Sequence, residues 1–173
     1  METDEKKIAK NRIAVMYLLR SLNIEVTDKQ LLRVVTELSV MDYFDLASVL
    51  DNLKSGQLIE LRKAREGDFY TLTPLGENTL SFFEKELYLS QRNAIDEYCK
   101  EHREELQREA SVAGEYVKLS DKQYRVTLRI MQKDLPVFEV NFFASNIKEA
   151  ENYVKKWNER SSDVYRKVMD TLI

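Results

Sequence analysis

Residues 42–73 constrain the fold more than any other stretch of this chain. After Asp42, residues 43–55 place Leu46, Val49, Leu50 and Leu53 at helical spacing, and the run stops at Gly56. Residues 58–62 and 69–73 read as two strands, joined by a charged turn that ends at Gly67. A helix with one apolar side, followed at once by a hairpin, buries its leucines and valines. Its polar side is left facing out near the hairpin tip. Only 4 Gly and 2 Pro occur in 173 residues, so the other elements must follow each other closely.

Hydrophobic content of 43% and charged content of 33% describe a globular chain with room for one large domain or two small ones. The first residues are polar, and no apolar run approaches the roughly 18 residues a membrane span needs. Cytoplasm is the expected location, with no membrane partner. Cys99 is the single cysteine, so no intrachain disulfide and no cysteine-cluster zinc site can form.

Taken in order, residues 6–22 predict a first helix with a broad apolar stripe through Ile8, Ile13, Met16, Tyr17 and Leu19. Asn23 is its stop, and residues 24–26 are extended. Thr27-Asp28-Lys29-Gln30 is a capping box for a second helix reaching about Leu38, and Asp42 caps the third. Thr73 and Pro74 open a fourth helix to about Glu86, which buries Leu80, Phe83 and Leu87. Residues 91–110 form a fifth, striped by Ile95, Tyr98, Cys99, His102 and Leu106. Beyond Ser111 the period changes to two, giving strands over 115–119, 124–131 and 138–142. Asn146-x-x-Glu149 then opens a long terminal helix, whose stripe runs from Ala150 through Trp157 to Leu172.

Leu58-Ile59 followed by Phe69-Tyr70-Thr71-Leu72-Thr73-Pro74-Leu75-Gly76-Glu77 resembles the wing of PadR-like and MarR-like transcriptional regulators. In those, a Leu-Ile strand entry and a charged tip precede Tyr-x-Leu-Thr-x-x-Gly and an exit helix. One departure is Gln57, which stands where a glycine commonly precedes the Leu-Ile pair, while Gly56 comes one position early. With Tyr43-Phe44, Ala113-x-x-Tyr116, Tyr124-x-Val126 and residues 152–157 as further landmarks, the whole chain is similar to an uncharacterised bacterial winged-helix family, domain of unknown function 4364. The resemblance implies an α+β protein. An N-terminal winged helix-turn-helix (residues 1–88) would precede a domain (residues 89–173) holding a linker or dimerisation helix and a three-stranded antiparallel β-meander packed on long helices.

Signs of catalysis are sparse. His102 is the only histidine, and beside Cys99 on an apolar stripe it reads as packing rather than half a metal site. The four glycines stand apart, so no phosphate-cradling loop exists. The expectation is a protein that is not an enzyme and needs no cofactor or metal.

The resulting expectation is a homodimeric regulator bound to double-stranded DNA. Tyr43, Phe44, Ser48 and Asn52 would enter the major groove, while Lys29, Arg33, Arg62, Lys63 and Arg65 would hold phosphates. The long helices opening at Gln91 and Asn146 would supply a two-fold seam. Charge argues the other way. Residues 1–88 carry 12 Lys and Arg against 15 Asp and Glu, and Asp51 sits on the side of the third helix that would meet DNA. The alternative is a winged-helix protein–protein interaction module anchored by Phe44. A C-terminal domain that senses an unknown small-molecule effector is compatible with either.

Overall fold

The computed structural model describes residues 2–64 and 67–173. Among these the chain is α+β, with six α-helices and two three-stranded antiparallel sheets. It divides into two compact units, Met1–Ala110 and Ser111–Ile173.

The first unit is built round helix α1 (Glu2–Leu22). Every side chain from Ile13 to Leu19 is buried, so this part of the helix is enclosed on all sides rather than striped, while residues 4–8 and Arg12 are exposed. Ile8, at the expected start of the stripe, is 40% exposed. Strand β1 (Val26–Thr27), helix α2 (Asp28–Glu37) and helix α3 (Tyr43–Ser55) follow. The expected capping box is present: Thr27 Oγ1 accepts from Gln30 N, and Gln30 Oε1 accepts from Thr27 N. Asp42 caps α3 by accepting from Asp45 N at 2.9 Å.

Strands β2 (Ile59–Ala64) and β3 (Gly67–Leu72) form the hairpin, with Ile59 opposite Leu72 and Ala64 opposite Gly67. β1 pairs with β3 through Val26–Tyr70 and Thr27–Phe69, which makes the sheet order β1-β3-β2. The sequence indicated only an extended segment there, because two residues carry no strand period. Helix α4 (Pro74–Phe83) leaves the hairpin, capped by Thr73, whose hydroxyl accepts from Gly76 N at 3.0 Å. Gly76 is obligatory, because a Cβ there would lie 2.0 Å from the carbonyl oxygen of Leu58. Gln57 has φ +57° and Gly56 has φ −80°, so the left-handed position is the one where the resembled pattern has glycine.

A 3₁₀ turn (Glu84–Glu86) leads to helix α5 (Leu89–Ser111). Leu80 and Leu87 are buried as expected, whereas Phe83 is 46% exposed, since α4 ends at that residue. α5 turns Ile95, Cys99 and Leu106 into the same core as α1. The compact unit therefore runs to Ala110, past the expected boundary at residue 88.

The second unit comprises β4 (Val112–Ser120), β5 (Gln123–Gln132), β6 (Leu135–Ala144) and helix α6 (Ile147–Leu172), with sheet order β4-β5-β6. Tyr124, Val126, Leu128 and Ile130 alternate along β5. With Phe138, Phe142 and Ala144 of β6, they pack against Ala150, Val154 and Trp157 of α6. Trp157 is 2% exposed, stacks on Phe138 and donates its Nε1 proton to the carbonyl of Arg129. On the opposite face of the sheet, Arg129 bridges Glu115 and Glu139, and Thr127 donates to Asn141. The α6 stripe is covered as far as Ser161; Val164 and Leu172 beyond it are 39% and 74% exposed. No helix among the described residues is long and apolar enough to cross a membrane.

Candidate nucleic-acid interface

The inner side of α3 is fixed by burial of Leu46, Val49, Leu50 and Leu53. Its outer side is open: Tyr43, Phe44, Ala47, Ser48, Asp51, Asn52 and Ser55 are exposed. Tyr43 and Phe44 are 60% and 79% exposed and meet edge to face, with ring centroids 5.4 Å apart. Asn52 Nδ2 donates to the Ser48 carbonyl at 2.8 Å, which leaves its Oδ1 as the outward acceptor. Of the expected groove-facing residues, Phe44, Ser48 and Asn52 thus fall within about 80° on one solvent-facing side of the helix, while Tyr43, its first residue, is exposed but lies about 180° round the axis from Asn52.

Charge on this helix is largely neutralised within the unit. Asp51 pairs with Lys54 at 2.8 Å and Asp45 with Lys7 at 2.8 Å. The hydrogen bond that Lys54 donates to Asp51 raises its ammonium above the ordinary range. The acidic spot that sequence placed on the reading side is therefore half of an ion pair.

The five expected phosphate-binding cations divide. Lys29, in the first turn of α2, and Lys63, on β2, are exposed, and among the described residues no carboxylate pairs with either. Arg33 is engaged by Glu109 of α5, with Nη1–Oε1 at 3.0 Å and Nη2–Oε2 at 2.9 Å. That hydrogen bonding raises its already high pKa. Arg62 meets Glu25 in the same two-pronged way, with both contacts at 2.8 Å, and its guanidinium lies 4.6 Å from the centre of the Phe69 ring. Arg65 lies outside the described residues. Glu25 and Glu109 were not singled out in the sequence; they lie 37 and 76 residues from their arginines, and no local spacing marks such pairs.

The pairs place the arginines as much as they occupy them. Arg62 ties the residue before β1 to the hairpin stem, and Arg33 ties α2 to α5. The Arg33–Glu109 pair is exposed and the Arg62–Glu25 pair half-buried, so a phosphate oxygen competes more readily for Arg33 than for Arg62. The first unit as a whole carries 16 Lys and Arg against 21 Asp and Glu, a net charge of −5.

Groups that could do other chemistry are isolated. No cluster of three or more His, Cys, Asp or Glu positioned for a metal occurs among the described residues. Cys99 is buried, and desolvation pushes its thiol up to about 12, which makes it a poor nucleophile. His102 lies against Tyr98, with ring centroids 4.3 Å apart and the planes tilted by 33°. Burial first, then the hydrogen bond to Glu37, raises the Tyr98 phenol to about 12.

Residues 11–172 match the model of a family described as Domain of unknown function (DUF4364). No curated protein matches the chain. No solved structure matches it either.

Proposed function

The chain belongs to this family, which matches it over nearly its whole length, and we propose that it is a homodimeric DNA-binding transcriptional regulator of the winged-helix type. α2 and α3 serve as the helix-turn-helix, and the β2–β3 hairpin serves as the wing. The second unit is a β-meander on α6, and neither catalysis nor a cofactor is involved. The single observation that carries this reading is the uncovered outer side of α3, followed directly by the hairpin. Tyr43, Phe44, Ser48 and Asn52 stay in solvent while Leu46, Val49, Leu50 and Leu53 are packed, which leaves those four free to meet a duplex. Lys29 and Lys63 make the phosphate contacts, with Arg33 and Arg62 as positioning residues that hold α2 and the wing.

A titration of random-sequence duplex at several salt concentrations tests it. The Lys29→Ala/Lys63→Ala double variant should bind more weakly, with a salt slope shallower by about 1.8, or 0.9 per lost phosphate contact. Unchanged affinity and slope would remove both lysines from the interface.

A second reading has its own support: an interaction module that binds protein instead of DNA. Phe44 at 79% exposure beside Tyr43 is an aromatic anchor of the kind that dominates protein interfaces, and the net charge of the unit is −5. If no duplex is shifted even at low salt, this module replaces the regulator.

A further inference from the structure

β6 is an edge strand, with β5 on one side and no strand on the other. Natural edges are usually guarded by lysines, prolines or bulges. Here the guards sit at one end only: Pro136 is the second residue of the strand. Ile130 pairs with Phe138 and Met131 with Pro136, so Val137 is the extra residue of a bulge. From Phe138 to Ala144 the register with β5 is regular, and Glu139 is the sole charge, already held by Arg129 and Asn141. Val137, just before this run, and Phe143, near its end, are 52% and 60% exposed.

We propose that the β6 edge is the dimer seam, with β6 of a second copy pairing antiparallel across a two-fold axis at Val140 to join two sheets into one of six strands. The sequence is self-complementary in that register. Phe138 falls opposite Phe142, Val137 opposite Phe143, and Glu139 opposite Asn141, whose amide already donates to a Glu139 carboxylate within the chain at 2.7 Å. A two-fold axis at Glu139 would instead set carboxylate against carboxylate. Other centres leave Val137 or Phe143 without an apolar partner. This deepens the homodimer part of the proposed function and replaces the helical seam expected from sequence. Two edges this short bury less than about 1,200 Å² in total, so the dimer should dissociate over a micromolar range.

Val140→Cys tests the register. Residues directly opposite across a strand pair lie about 4.5–5.5 Å apart at Cα, inside the window of about 4.4–6.8 Å for a disulfide. The full chain carrying Val140→Cys should link into a covalent dimer under mild oxidation. Phe143→Cys should not, because its copies lie six residues, about 20 Å, apart. Buried Cys99 stays silent in both. In sedimentation equilibrium, Val137→Lys/Phe143→Lys should raise the dissociation constant by about tenfold or more. A wild type that stays monomeric into the hundreds of micromolar, a dimer unaffected by the two lysines, or linkage by Phe143→Cys in place of Val140→Cys would each overturn the seam. Duplex binding is read separately, so loss of the regulator leaves the seam intact, and loss of the seam leaves duplex binding to stand or fall alone.

Discussion

Replacing Gly76 by Ala should cost the first unit far more than a methyl group ordinarily does. The new Cβ would stand 2.0 Å from the Leu58 carbonyl oxygen, 2.7 Å from Leu72 Cδ1 and 3.0 Å from the Leu58 carbonyl carbon. Carbon and oxygen normally approach to about 3.3 Å, so α4 and the strand entry must separate by about 1.3 Å. The Leu72 methyl can rotate away, but the Leu58 carbonyl cannot, because it accepts from Thr73 N at 3.1 Å. Overpacking costs about 1–3 kcal/mol, and loss of that hydrogen bond adds about 0.5–1.5. The better helix propensity of Ala returns at most about 1 kcal/mol. The net expectation is a destabilisation of about 2–3 kcal/mol. In a unit of this size that lowers the melting temperature by about 8–15 °C, followed by far-ultraviolet circular dichroism. A melting temperature within 2–3 °C of wild type, by the same principle a loss of well under about 1 kcal/mol, would refute the reasoning. The helix would then have room to slide off the strand entry.

Gln57→Gly should stabilise the first unit by about 0.5–1 kcal/mol in urea titration, because Gln57 holds φ +57° where a side chain is strained. Gln30→Ala should destabilise the same unit by about 2–3 kcal/mol. Buried Gln30 completes the cap of α2 and donates to the Leu106 carbonyl at 2.8 Å, and the variant loses both interactions. In the second unit, hydrogen bonds from Arg129 and then Asn141 hold Glu139 below its ordinary pKa, and the backbone N–H of Ser145 does the same for Glu149. A carboxylate depressed in the folded state stabilises above its unfolded pKa, and the benefit goes as pH falls through the folded value. Amide protection factors along β5 and β6, the exchange rates corrected for their intrinsic pH dependence, should therefore be flat from neutral pH to about 5 and fall below about 4. Glu139→Gln should remove part of that acid sensitivity.

Where local chemistry decides an element, the sequence was enough. Thr27 with Gln30, Asp42, Thr73 with Pro74, and Asn146 all cap the helices they were expected to open. The alternation along β5 gave its inner face residue by residue. What stayed hidden depends on partners distant in the chain. β1 is a strand only because Tyr70 and Phe69 lie beside it, and α5 joins the first unit because its stripe meets the core around α1. For the candidate interface, the open side of α3 followed from helical geometry. The pairing of Arg33 with Glu109 and of Arg62 with Glu25 did not, since charges on different elements meet only after folding.

The only tryptophan of the chain, Trp157, is sealed against Phe138 in the second unit. Its indole emission is therefore a private reporter. Red-shifted fluorescence marks the opening of the α6–sheet core, whatever happens to the helices and hairpin of the first unit. Denaturant curves followed by emission and by ellipticity will coincide only if the two units unfold together, and any gap between them measures how independent the two halves of the molecule are.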